Sequence, residues 1–171
     1  MLVIAVGNAY RSDDGVGLEL AAAVRALGLP QLTVVEALGD VAIIDAWAEH
    51  DAVILLDAVQ SGAAPGTVIR RDVVEEPLPR EWFHLSSHQI GIADAVEIAR
   101  AMGTLPARVV FIGIEGEHFE TGVGLSPAVA SSIDRAAALV REEARPGRAR
   151  RHAARLVSHA RPRRASAHLP E

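Results

Sequence analysis

Apolar residues fall along this chain into short unbroken runs, separated by stretches in which they recur every three or four positions. Leu2 to Val6 is the first run; its lack of alternation predicts a strand covered on both faces. From Gly15 onward Leu18, Ala22, Val24 and Leu27 give an approximate helical stripe, with Gly28 and Pro30 as the stop signal. Leu32 to Val35 predicts a second strand. Val41, Ile44, Trp47 and Ala48 repeat at helical spacing, and Ala52 to Leu56 is a third strand ending at Asp57. Two alternations of strand and helix make a parallel sheet the economical arrangement.

The second half is more polar. Gly66 to Arg71 follows a Pro65-Gly66 turn and predicts a short strand at the sheet edge. Val73 to Phe83 is acidic, contains Pro77 and Pro79, and is expected to be loop. His88 or a close neighbour opens a helix reaching Met102, with Val96, Ala99 and Met102 on its buried face and Gly103 as stop. Arg108 to Ile114 is the last strand. After the acidic, glycine-bearing loop Glu115 to Gly124, Ser126 as N-cap and Pro127 at the first helical position start a helix through Ile133, Ala137, Val140 and Glu143.

Length and composition set the frame. With 171 residues, half of them apolar, the chain is sized for one domain with its own core. No run approaches the ~18 apolar residues of a membrane span, and no basic region precedes an apolar stretch at the N-terminus, so a cytoplasmic protein is expected. There is no cysteine, which excludes disulfides, zinc-thiolate sites and cysteine nucleophiles, and no lysine, which excludes Schiff-base and Ser-Lys chemistry. Residues 1–144 carry 9 Arg against 21 Asp and Glu, whereas residues 145–171 carry 8 Arg against 1 Glu. An acidic domain, 1–144, is therefore expected to end in an Arg-rich tail, 145–171, that is disordered or only transiently helical.

The densest chemistry lies in Val6-Gly-Asn-Ala-Tyr-Arg-Ser-Asp-Asp-Gly-Val-Gly17, where the first strand hands over to the first helix. In an open α/β fold that handover lies at the carboxyl edge of the sheet, where ligands bind. A dinucleotide fingerprint is excluded by spacing, since five residues and two acids separate Gly7 from Gly15 and Gly17, and the acids occupy the place of a phosphate.

The pattern Gly7-Asn8-x-x-Arg11-x-Asp13-Asp14-Gly15-x-Gly17 resembles the amino-terminal signature of the hydrogenase maturation endopeptidases. Leu55-Leu-Asp57-Ala-Val with Ser61-Gly-Ala-Ala-Pro-Gly-Thr67 is similar to that family's second acidic segment, and Ser86-Ser-His88-Gln to its histidine segment. Gly113-Ile-Glu115 through Gly124-Leu-Ser126 is similar to its last strand, loop and final helix start. Order and spacing agree from residue 2 to about residue 143. The resemblance implies a three-layer α/β/α sandwich with a mostly parallel central sheet, phosphorylase/hydrolase-like. It also implies an endopeptidase trimming the carboxyl-terminal extension of a [NiFe]-hydrogenase large-subunit precursor once its metal is installed. One departure stands out. Where many members have Asp-Gly-Gly-Thr after the second strand, this chain has Glu36-Ala-Leu-Gly39-Asp40. If that turn grips substrate, the partner subunit differs accordingly.

Asp14, Asp57 and His88 stand at strand ends or the helix starts behind them, and in the expected fold they can converge. Two carboxylates and an imidazole suit a divalent ion such as nickel or zinc that keeps other ligands. The resemblance maps its metal-contacting and catalytic positions onto these three residues and implies that the metal is the substrate's nickel, not a cofactor of the enzyme. Taken singly, each residue has a plainer role: Asp14 as a helix-stabilising charge, Asp57 as the opening of an Asx turn, His88 as a hydrogen-bonder at a helix start. Asp13 is expected to cap the first helix, while Asn8 and Arg11 shape the loop, Arg11 also being a candidate for a substrate carboxylate. His84 is expected to precede the helix and so not to pair with His88 on a metal. His152, His159 and His168 sit among arginines that repel a cation. Glu115, Glu117, His118 and Glu120 are candidates for lining a substrate groove, against a default of a solvated acidic loop.

These expectations define a monomeric peptidase whose partner is the precursor, with neither nucleic acid nor membrane involved. A carboxylate, Asp14 or Asp57, would serve as base for the attacking water. The alternatives are a nickel-binding maturation chaperone or sensor using the same three residues without peptidase activity, and a polyanion-binding module driven by the Arg148 to Arg164 tail. The tail lacks aromatic residues for stacking.

Overall fold

The strands form where the apolar runs predict them, and their pairing follows from burial on two faces. In a computed structural model, residues 1–37, 41–83 and 91–146 are described. They build a five-stranded sheet from β1 (Leu2–Val6), β2 (Thr33–Ala37), β3 (Ala52–Val59), β4 (Val68–Asp72) and β5 (Arg108–Glu115), in the order β2-β1-β3-β5-β4. The neighbours β2, β1, β3 and β5 run parallel, and β4 lies antiparallel at one edge, as its polar composition predicts.

The helices are α1 (Val16–Ala26), α2 (Val41–Trp47), α3 (Ile92–Met102), α4 (Pro127–Ala130) and α5 (Ile133–Glu143). Alternate strand positions feed opposite layers, as a pleated sheet requires. Ile4, Leu55, Val59 and Phe111 pack with Ile43, Trp47, Ile92 and Val96 of α2 and α3. Ala5, Ile54, Leu56 and Ile112 pack with Leu20, Ala21, Val24 and Val140 of α1 and α5. The result is the expected three-layer α/β/α sandwich with a mostly parallel sheet.

Three local expectations are corrected. The buried face of α1 is Val16, Gly17, Leu20, Ala21 and Val24, while Ala22 is exposed and Leu18 only partly covered. Small residues face the sheet because the helix lies close to it. On α3, Met102 is 66% exposed instead of buried, since the helix ends there against the left-handed Gly103. The final helix is divided: α4 stops at Ala130, and α5 begins after the turn at Ser131 and Ser132.

The closing element is locked to the sheet by charge. Glu143 of α5, with no accessible surface, pairs with Arg108 at the start of β5 and with Arg70 of β4 at 3.0 Å, and its carbonyl accepts from Arg108 at 3.2 Å. Residues 147–171, and with them nearly all of the Arg-rich segment, lie outside the described residues.

The chain order produces one crevice. From β1 the chain crosses through α1 to β2 on one side, then through α2 to β3 on the other, so strand order reverses between β1 and β3. The carboxyl ends of β1 and β3 therefore diverge above a topological switch point, the usual place for a ligand in such a sheet.

Candidate functional site at the β1–β3 switch point

Asp57 is not at the end of its strand, as the apolar run predicts. β3 continues to Val59 and pairs with β5 throughout, Asp57 opposite Gly113, whereas its pairing with β1 ends at Leu56. Asp57 is thus the first β3 residue beyond the departure of β1. Its side chain accepts from the Ala58 N–H at 2.8 Å, a local contact that leaves the strand extended instead of opening a turn.

Asp14 approaches from the other wall. After β1 the chain turns through Gly7 and a 3-10 turn, Ser12–Gly15, into α1. The Asn8 N–H donates to the Asp14 carbonyl at 3.1 Å, the Asp14 N–H to the Arg11 carbonyl at 3.1 Å, and the Asn8 side-chain oxygen accepts from the Tyr10 N–H at 2.9 Å. Gly7 has a φ of +149°, and a Cβ there would stand 2.2 Å from the Asp14 carbonyl oxygen. At Gly17 a Cβ would stand 2.0 Å from the Val6 carbonyl oxygen and 3.0 Å from that of Leu56. The first turn of α1 therefore sits directly on the carbonyl end of β1 and against β3 at Leu56, which brings Asp14 into the neighbourhood of Asp57.

The electrostatics record that proximity. Packing around the Asp57 carboxyl, and then the charge of Asp14, push its pKa well above the ordinary carboxylate range, against the partial compensation of the Ala58 N–H. Two carboxylates in a poorly solvated crevice favour a shared proton or a cation.

Asp13 takes another direction. It has no accessible surface and does not cap α1; its carboxylate accepts the N–H groups of Glu117 at 2.9 Å, His118 at 3.0 Å and Ser126 at 2.6 Å. Burial alone would raise its pKa, but these donors outweigh it and hold the carboxyl below its usual range. Neither half of the expected capping scheme forms: Ser126 stands at the N-cap of α4, but its hydroxyl does not cap that helix.

The loop after β5 is consequently a constructed wall. Arg11 donates to the Phe119 carbonyl at 3.2 and 3.3 Å, Ser12 N–H to the Gly122 carbonyl at 3.0 Å, and Gly122 N–H to the Tyr10 carbonyl at 3.0 Å. Arg11 thus shapes the loop, as expected of it. Glu115, 3% exposed, accepts the Ser61 hydroxyl at 2.7 Å and the N–H groups of Ser61 and Gly62 at 2.9 Å each, so it is an internal strut for the β3–β4 loop and no part of a solvated acidic surface. The sequence signal for both struts was present only as acids among glycines; their partners are distant in the chain.

His88 and His84 lie outside the described residues, as do residues 38–40 of the Glu36–Asp40 departure, whose first two residues end β2. Among the described residues no group of three or more His, Cys, Asp or Glu forms a metal site. The described part of the site is the Asp14–Asp57 pair, and α3, whose N-cap is Gly91, follows the histidine segment in the chain.

Comparison with known proteins agrees with this architecture. The family model described as hydrogenase maturation protease matches residues 19–143. Hydrogenase 2 maturation protease of Escherichia coli K12 is 32% identical over 146 residues, covering 78% of this chain and 84% of that protein. HupD of Rhodobacter capsulatus, a hydrogenase expression/formation protein, is 32% identical over 138 residues, covering 78% and 66%. The solved structure of the hydrogenase maturating endopeptidase HybD from E. coli superposes with a TM-score of 0.67 at 27% identity, covering 81% of this chain and 88% of that one. The family match runs from within α1 to the end of α5, and the fold is that of the HybD structure: the chain belongs to the hydrogenase maturation proteases.

Proposed function

We propose that this chain is an endopeptidase that removes the carboxyl-terminal extension of a nickel-loaded [NiFe]-hydrogenase large-subunit precursor, contacting the substrate's nickel through Asp14, Asp57 and His88. The observation that carries the reading is the Asp14–Asp57 pair at the switch point, where burial and then the charge of Asp14 raise the pKa of Asp57. A divalent cation relieves that repulsion, and the ion is brought by the substrate, so the enzyme keeps no metal of its own. The same two carboxylates supply a base for water at the scissile carbonyl, with the nickel as anchor for the bond to be cut. Membership of a maturation protease family supports the hydrolytic class. The reading has the chain acting as a cytoplasmic monomer; among the described residues no helix is long and apolar enough to cross a membrane.

The test is the intact mass of the host's large-subunit precursor after incubation with the protein, with and without nickel loading. Loss of a short carboxyl-terminal peptide from the nickel-loaded form alone is the expected result. Tight nickel binding by the isolated protein with no shortening of either form would identify a metal-binding maturation factor instead.

A further inference from the structure

Asp13 and Asp14 are adjacent in sequence and opposite in fate. Asp14 is near enough to Asp57 for its charge to act there, whereas Asp13 is enclosed and takes three backbone N–H groups from a loop more than a hundred residues away. The Asp13 N–H donates in turn to the His118 carbonyl at 3.0 Å. Residue 13 is therefore held by both its backbone and its side chain, and the peptide joining it to Asp14 has little freedom to rotate. On the other side the Asp14 carbonyl is packed over Gly7 and accepts from Asn8.

We infer that Asp13 is a positioning residue for peptide cleavage, fixing the direction in which Asp14 meets Asp57 and the place of the loop 116–126 beside them. The inference rests on the peptidase reading above. A carboxylate is required because all three partners are donors: one Asp13 oxygen accepts from Glu117 and His118, the other from Ser126. Asparagine has a single acceptor oxygen, so its amide group must face at least one of those N–H groups, donor against donor. Orienting the oxygen toward Glu117 and His118 abandons Ser126, and with it the start of α4. Ser126 offers an independent handle. Its φ of −59° is one that proline adopts, and proline there removes that N–H and sets a ring methylene against the Asp13 oxygen in its place, which cuts the same connection from the loop side.

Steady-state trimming of the nickel-loaded precursor tests this with Asp13→Asn, Ser126→Pro, the double variant and Glu143→Gln. Glu143 lies at the far end of β5 and serves as a variant that loses stability without touching the site. Asp13→Asn is expected to lower kcat roughly 30- to 100-fold with KM within about threefold of wild type, as for a displaced reacting group. Ser126→Pro should lower kcat less, and the double variant no further than Asp13→Asn alone, because both cut one connection. Glu143→Gln should keep wild-type kcat despite an equal or greater fall in Tm. The inference is overturned if Asp13→Asn keeps kcat within about threefold of wild type, or if kcat falls alike in Asp13→Asn and Glu143→Gln in proportion to Tm. A wild-type chain that leaves the precursor at full mass removes the peptidase reading itself, and the inference with it.

Discussion

Asp57 holds a charge that the fold disfavours. Its folded pKa lies above its unfolded one, so between those two values the folded chain binds more protons and stability falls as pH rises through that window. In metal-free protein, Asp57→Asn should therefore be more stable than wild type above the raised pKa and should flatten the decline that sets in above the ordinary carboxylate range, while trimming drops by about 10²- to 10⁴-fold. Urea denaturation across that pH range checks the first part, and the precursor assay the second. Asp13 has the opposite sign. Its pKa is lowered, so its contribution is present above the ordinary carboxylate range and is lost as pH falls through the lowered value. Asp13→Asn should cost about 1–3 kcal/mol at neutral pH for the N–H it leaves unpaired, and the deficit should shrink in acid. The resemblance gives Asp14 to the site and leaves Asp13 as a helix cap, but the local sequence holds no sign of the role Asp13 actually has. What separates them is the loop 116–126, which reaches Asp13 only in the folded chain.

Each element was legible where its contrast was local. The unbroken runs of β1, β3 and β5 mark strands covered on both faces, and the polar β4 marks an edge. Helix α1 was placed correctly but its face was not, because Gly17, Ala21, Ala22 and Ala23 differ little in hydropathy and the deciding contact is a backbone approach. A Cβ on Gly17 meets two carbonyl oxygens of the sheet, neither of which can move without breaking β1 or β3. Gly17→Ala should accordingly lift α1 from its seat and cost more than about 3 kcal/mol, whereas Ala22→Ser on the exposed face should stay within about 0.5 kcal/mol. Equilibrium unfolding of the two variants distinguishes a helix seated on the strand ends from one merely packed across them. The end of β3 was misjudged for a related reason: a charge after an apolar run looks like a boundary, yet pairing with β5 carries the strand two residues past Asp57.

At the scale of the whole molecule, the fold has a chemical end as well as a sequence boundary. Among the described residues Ala144 is the last buried apolar one, and Glu143 beside it holds two arginines of the sheet with no accessible surface of its own. The change of charge at residue 145 is visible in composition, and the family match stops at residue 143. The lock itself is not visible, since nothing local tells Glu143 from the exposed Glu142. Removing Glu143 strands the buried guanidinium of Arg108 without its partner, so Glu143→Ala should cost about 3–5 kcal/mol. Deleting residues 148–171, only slightly further along, leaves in place the pairing of Glu143 with Arg70 and Arg108 that ties α5 to the sheet. The truncated chain should unfold within about 0.5 kcal/mol of the full one and trim precursor at the same rate. Urea denaturation and the mass assay on these two variants locate the end of the working domain. A truncated chain as unstable as Glu143→Ala would mean that the arginine-rich segment contributes to the fold and does not merely follow it.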